Sequence, residues 1–303
     1  MEGESLEVKG LNRKRLCLVY NPYAGRRKLN YQFDTVIRIF QDSGYEVLIH
    51  RTGSPQDIEA VAAQCSEVDT LVIAGGDGSI HQAVNGLMKL PPLKRPCLGI
   101  LPVGTANDLA YSLNLPKKIP EACHVIAKRR ILEMDVGMIN DRYFVNVASA
   151  GLLTDVSPTV DVRVKNALGQ LAYYLRGLET LPSFRPFRIK FTHRGQEYEE
   201  EVLLMLALNG MSVGGLRKLV PGASLTDGLL DLVIIRQSGW PETLRLFLGL
   251  LTGDKTASER LILLQTAEVR LATDRPVCSD LDGEWGPKSP WVIRSGPKIA
   301  VLH

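Results

Sequence analysis

Residues 71–79 read LVIAGGDGS, a solid apolar run that breaks into two glycines, a carboxylate, a third glycine and a hydroxyl. Residues 70–74 have the composition of a central strand, and SIHQAVNGLMKL after them has a helical period. Gly75, Gly76 and Gly78 then sit at the carboxyl end of a strand, where open α/β sheets bind ligands. Glycine lets backbone N–H groups approach phosphate oxygens closely, and the following helix points its positive end at the same anion. Asp77 is out of character there, because a carboxylate beside phosphate is repelled unless a cation or a hydroxyl stands between them. The stretch is neither GxxxxGKS/T nor GxGxxG, and its plain alternative is a tight turn with Asp77 as helix cap.

Two other apolar runs end in the same manner. GILPVGTANDLA closes in Gly104-Thr105-Ala106-Asn107-Asp108, and VYNPYAGRRK closes in Asn21 to Gly25 followed by Arg26, Arg27 and Lys28. Such turns at the ends of neighbouring strands make one crevice. From Leu16 to about Met134 short apolar runs (LCLVY, YEVLIH, TLVIA, CLGILPV) alternate with helical periods near 33–43, 56–65 and after 78, the pattern of a parallel sheet covered on both faces. After Asp135 the texture becomes that of antiparallel strands, with HRGQE as a hairpin turn. Two helical periods interrupt it, at 164–181 and 238–253, the second apolar around most of its circumference and read as a core helix ahead of a membrane-docking or lipid-lining element. A length of 303 residues exceeds what one core supports. The expected division is an α/β domain over 14–135 and a mostly-β domain over 136–290, with 291–303 able to return to the first. Pro91-Pro92, 115–120 and 286–290 are the linker candidates.

A net charge of +3 gives no concentrated basic excess, so no nucleic-acid partner is expected. Five cysteines without a CxxC pair indicate neither a disulfide frame nor a zinc site, and buried reduced thiols are expected. The N-terminus lacks an apolar h-region, and no apolar run approaches the roughly 18–20 residues that cross a bilayer. The expected location is cytoplasmic, with peripheral contact at an anionic inner membrane face. Arg13, Lys14, Arg15 and Lys128, Arg129, Arg130 are the candidate contacts, although such clusters are commonly plain solvated surface.

NPYAG, AGGDGSIHQAVNG, GILPVGTANDLA, NGMSVGGLRKLVPGASLTDGLLDL and SDLDGE, in this order and spacing, together resemble the diacylglycerol kinase catalytic-domain family, in particular its bacterial YegS-like lipid kinases. The resemblance spans nearly the whole chain. It implies an N-terminal α/β domain similar to that of NAD kinases and phosphofructokinases, a C-terminal β-sandwich, and a cleft between them. It implies transfer of the γ-phosphate of ATP, with Mg²⁺, to a lipid hydroxyl such as that of diacylglycerol or phosphatidylglycerol, and leaves a homodimer open.

Carried over by motif, Gly75, Gly76, Asp77, Gly78, Ser79, Ile80, His81 and Thr105 meet ATP, with Thr52 and Asn21 beside them. Asp227, with the main-chain carbonyls of Ser224 and Leu229, holds a structural Mg²⁺. Glu284 is the general base, and base duty is shared in doubt with Asp77. Glu284 follows Asp280 and Asp282 in SDLDGEWG, and crowding of such acids raises their pKa values and improves a base. Ser79, Ala24 and His81 depart from the Thr, Ser and Asn usual in the family, without removing a motif acid. The rivals are an NAD kinase, whose Asn-Glu pair has no fitting counterpart here, and a catalytically silent lipid- or nucleotide-binding regulator.

Overall fold

The computed structural model describes residues 14–22, 29–54, 56–151, 186–213, 216–217, 220, 222–239, 242 and 260–303. Both expected helices in the second half, at 164–181 and 238–253, fall outside the described residues, apart from single positions at the start of the latter.

The first sheet holds β1 (Lys14–Tyr20), β2 (Tyr45–Arg51), β3 (Thr70–Gly75), β4 (Cys97–Pro102), β5 (Ile131–Met134) and the last strand of the chain, β19 (Ile299–Leu302), in the order β2-β1-β3-β4-β19-β5. All pairs are parallel except β19 with β5. Five helices accompany it: α1 (Phe33–Asp42), α2 (Asp57–Ala62), α3 (Asp77–Met88), α4 (Asp108–Ser112) and α5 (Ile119–Ala127).

Alternation along β1 explains why its apolar run is solid. Leu16 and Leu18 join a core with Val36, Phe40 and Ile126 from α1 and α5. Cys17 and Val19 join a second core with Ile58, Ile80 and Leu87 from α2 and α3. Both faces are covered, so every position is apolar. Leu16, Leu18, Leu71, Ile73, Leu98 and Ile100 are fully buried, each contributing about 1.5–3 kcal/mol. An exposed pair such as Lys118–Glu121 is screened by water and adds little beside this, so the core holds this half together.

The second sheet is antiparallel, with eleven strands. In chain order these are β6 (Gly137–Ile139), β7 (Arg142–Phe144), β8 (Val147–Gly151), β9 (Phe187–His193) and β10 (Gln196–Leu208), then β13 (Leu230–Arg236), β14 (Leu261–Thr266), β15 (Glu268–Thr273), β16 (Cys278–Leu281), β17 (Glu284–Lys288) and β18 (Trp291–Ser295). The short β11 (Ser212–Val213) and β12 (Leu216–Arg217) pair with each other. β10 makes the sheet a sandwich: residues 196–202 pair with β9 and residues 204–208 with β8, so one strand serves both layers. Phe144, Phe187, Met205, Leu232, Trp291 and Ile293 fill the space between. The HRGQE turn is a hairpin, with Arg194 and Gly195 at φ 50° and 78° between the paired His193 and Gln196.

Two linker candidates prove to be structured. Ile119 and Pro120 open α5, where proline's missing N–H is harmless. Gly286, Pro287 and Lys288 belong to β17, the outer strand of its sheet. Pro is tolerated on an edge, and a side chain on Gly286 would run into Ser279 and Leu281.

Candidate active site

Four loops leave the carboxyl ends of β2, β1, β3 and β4, which are adjacent in that order. They begin at Thr52, Asn21, Gly76 and Val103, so Thr52, Asn21, the GGDGS turn and Thr105 share one edge of the sheet. The Thr52 amide donates to the Tyr20 carbonyl at 3.0 Å, which ties the first two loops together. Gly76 and Gly104 tie the other two: a Cβ on Gly104 would fall on the Gly76 backbone and on Asn107 Oδ1. A Cβ on Gly75 would fall on the Ser79 side chain. Gly78 and Thr105 are exposed, whereas Ile80 is fully buried in the core and its amide donates to the Gly76 carbonyl at 3.1 Å.

Asp77 does not cap its own helix. Its Oδ1 accepts the Asp108 amide at 2.7 Å and the Leu109 amide at 3.4 Å, so it caps α4 from the neighbouring loop. Asp108 in turn accepts the Ser212 hydroxyl at 2.6 Å, which links the TAND turn to the NGMSVGG stretch. Burial first, then the Asp108 carboxylate, with Asp282 a smaller contributor, pushes Asp77 up to about 6 against the pull of the two amides. A carboxyl group with that pKa exchanges protons near neutrality.

The SDLDGE acids diverge instead of crowding. Asp282 and Gly283, at φ 54° and 96°, form the two-residue tip between the paired Leu281 and Glu284, and both need the left-handed region. Asp282 turns inward and is 1% exposed, Asp280 accepts the Gly283 amide at 3.0 Å, and Glu284 is exposed. The chain reversal at Asp282-Gly283 separates acids that would share one face of a continuous strand. The tip reaches the first sheet's helices through His81 of α3, whose Nδ1 is 2.8 Å from Asp282 Oδ2.

Comparison with known proteins fits this arrangement. Residues 15–139 match the diacylglycerol kinase catalytic domain, and residues 146–303 match the YegS C-terminal NAD kinase beta sandwich-like domain. A diacylglycerol kinase of Bacillus subtilis (strain 168) is 36% identical over 280 residues, covering 91% of this chain and 92% of that protein. The chain belongs to the diacylglycerol kinase family of lipid kinases. A diacylglycerol kinase of Staphylococcus carnosus (strain TM300) is 32% identical over 92% of this chain and 91% of its own. A crystal structure named as a diacylglycerol kinase from Bacillus anthracis str. Sterne superposes with a TM-score of 0.80 at 26% identity, covering 97% of this chain and 98% of that one. Another from the same source reaches 0.84 at 27% identity over 98% and 97%.

The family's third acidic element, PGASLTDGLLD, lies beside a buried carboxylate that sequence reading missed. Asp135, 1% exposed, accepts the Gly228 amide at 2.7 Å and pairs with Lys298 Nζ at 3.1 Å. Lys298 also donates to the Thr226 carbonyl at 3.0 Å. Asn209 Nδ2 donates to the carbonyls of Asp135 at 2.7 Å and Val145 at 3.0 Å, so NGMS, the domain crossing and the TDG loop meet at one point. Asp227 is exposed, and its Oδ1 accepts the Leu229 amide at 3.0 Å. An exposed carboxylate in a turn offers a hard oxygen donor of the kind Mg²⁺ takes. Among the described residues no cluster of three or more His, Cys, Asp or Glu side chains is arranged for a metal.

Of the basic residues singled out for membrane contact, Lys14, Arg15 and Arg129 lie at the far edge of the first sheet from these loops. Lys14 and Arg15 open β1 at its amino end, and Arg129 Nη1 donates to Thr70 Oγ1 at the amino end of β3. The opposite edge is roughly 20 Å away, the length of such strands. Arg15 is tied to the Glu67 carbonyl, and its amide to Asp69. Arg13 and the Arg26-Arg27-Lys28 run lie outside the described residues. No described helix is long and apolar enough to cross a membrane.

Proposed function

We propose that this chain transfers the γ-phosphoryl group of ATP to the hydroxyl of a membrane lipid such as diacylglycerol or phosphatidylglycerol, with Mg²⁺. The observation that carries the reading is the convergence of the Asn21, Thr52, Gly75–Ser79 and Thr105 loops on one sheet edge, with the hairpin tip that bears Glu284 anchored to the same helix. Residues 14–135 with 299–302 form the nucleotide-binding unit in this reading and 136–295 the lipid-binding one: of the 291–303 segment expected to return to the first unit, only β19 does, and β18 stays in the second sheet.

Phosphoryl transfer asks mainly for positioning and charge neutralisation. Backbone N–H groups of the glycine turn and the amino end of α3 hold the phosphates, and Thr52, Thr105 and Asn21 border them. Asp77 keeps the two glycine turns in register and orients the acceptor hydroxyl. Glu284, exposed on the β-sandwich side, takes the hydroxyl proton as the oxygen attacks. Asp227, with the Ser224 and Leu229 carbonyls, would hold a structural Mg²⁺. An ion held there would offset the Asp227 charge and take lone pairs from the carbonyls, bracing a loop that Asp135 and Lys298 already fix. Membrane contact falls on the β17 edge, where Trp285, 49% exposed, follows Glu284 directly. Tryptophan suits the headgroup region.

The test is labelled ATP with Mg²⁺ and a panel of diacylglycerol, phosphatidylglycerol, sphingoid bases and NAD, the lipids in vesicles with and without anionic lipid. Phosphorylated lipid is the expected product. NADP alone, or binding without product, overturns the reading.

A further inference from the structure

His81 stands four residues after Asp77 on α3, so the two side chains leave the same face of the helix. Its ring is 4% exposed, with Nδ1 2.8 Å from Asp282 Oδ2. The partners assign the proton. The Asp282 carboxylate accepts the amides of Val145 at 2.6 Å, Asn146 at 2.8 Å and Val147 at 2.9 Å, which marks it as an ionised acceptor, and His81 Nδ1 therefore donates. On the far side Asn85 Nδ2, a donor, lies 3.3 Å from Nε2 and 2.9 Å from the His81 carbonyl. A ring engaged at both nitrogens has one orientation.

This bond closes a span of 201 residues, from the first turns of the helix behind the glycine turn to the tip of the β16–β17 hairpin. Glu284 lies two residues beyond Asp282 on the outer strand of its sheet, so a shift of the tip passes to Glu284 through the backbone. The imidazole thus belongs to the hairpin, whereas the motif resemblance assigns it to the nucleotide. We propose that His81 is a positioning residue that fixes the gap between the phosphate-holding turn and Glu284 by anchoring the hairpin tip to α3.

The proposal rests on the kinase reading and is tested both with and without turnover. His81→Phe keeps an aromatic ring and removes the donor, whereas His81→Asn returns an N–H near the Nδ1 position. With the best lipid of the panel, His81→Phe lowers kcat at least about tenfold while KM for ATP stays within about twofold, and His81→Asn recovers most of the loss. Independently of substrate, hydrogen exchange at amides 145–147 and 283–284 is faster in His81→Phe than in wild type. An unchanged kcat, a loss confined to KM for ATP, or unchanged exchange overturns the proposal. Should the wild type phosphorylate no lipid while the exchange contrast appears, the anchor stands and the kinase reading falls. Should His81→Phe not fold, His81→Asn against His81→Ala carries both comparisons.

Discussion

The amide of Asp108 donates to Asp77 Oδ1 across 2.7 Å, so the acid of one glycine turn caps the helix that follows the other. Asp77 caps not its own helix but its neighbour, and so joins two loops. The kinase reading adds a chemical role to this structural one, and titration separates the two.

Its carboxyl is ordinary near 3.8 when unfolded and pushed up to about 6 in the fold. Below pH 3.8 both states hold the proton; between the two values only the fold does, so stability falls as pH rises through that window. Above it the penalty is constant. Asp77→Asn keeps the capping oxygen and cannot ionise. Its stability advantage over wild type, from urea melts in metal-free buffer, grows with pH by on the order of 3 kcal/mol and then levels. A difference independent of pH contradicts the burial argument.

Gly104 is the point where the two glycine turns touch. Gly104→Ala inserts a methyl group against Gly76 and Asn107, and displacing a loop by about 1 Å costs on the order of 10²-fold in kcat/KM. Gly195→Ala, at a hairpin tip with open space around it and φ +78°, costs about 1 kcal/mol of stability and leaves kinetics unchanged. Equal kinetics for the two variants would show that the contact is incidental.

Asp135 and Lys298 predict an asymmetry. Lys298→Met leaves a carboxylate 1% exposed with its countercharge gone and destabilises by about 3 kcal/mol. Asp135→Asn retains an acceptor for the Gly228 amide and leaves behind a lysine 44% exposed, so it costs about 1–2 kcal/mol. Thermal unfolding with the order reversed refutes this account of the junction.

Glu284→Gln retains size and exposure but cannot take a proton. Turnover falls by about 10²–10⁴-fold while ATP affinity, measured by calorimetry, is unchanged. A variant turning over at the wild-type rate removes Glu284 from the mechanism.

The parallel sheet was legible because β1, β3 and β4 are apolar on both faces and end in glycine turns, a signal contained within about a dozen residues. The hairpin at Arg194-Gly195 was legible for the same reason. The site's connections were not. Asp77 with Asp108, Asp135 with Lys298, and His81 with Asp282 join residues 31, 163 and 201 positions apart, and a titratable residue on a helix or loop carries no local mark of its distant partner. SDLDGE shows the limit clearly: its spacing suggested mutual crowding, and the chain reversal at Asp282-Gly283 sends Asp282 inward and leaves Glu284 outside. Asp135 had one usable signal, an acid placed where the α/β pattern gives way to β.

β19 lies between β4 and β5, and among the described residues β5 has no other neighbour in the sheet. During synthesis β5 must therefore wait for residue 299, a delay of about 8–33 s at roughly 5–20 residues per second. Through that interval β4 keeps an open flank, which invites pairing with other nascent chains. Ribosome-bound intermediates of this protein should thus depend on chaperones most between the emergence of β5 and the release of the C-terminus.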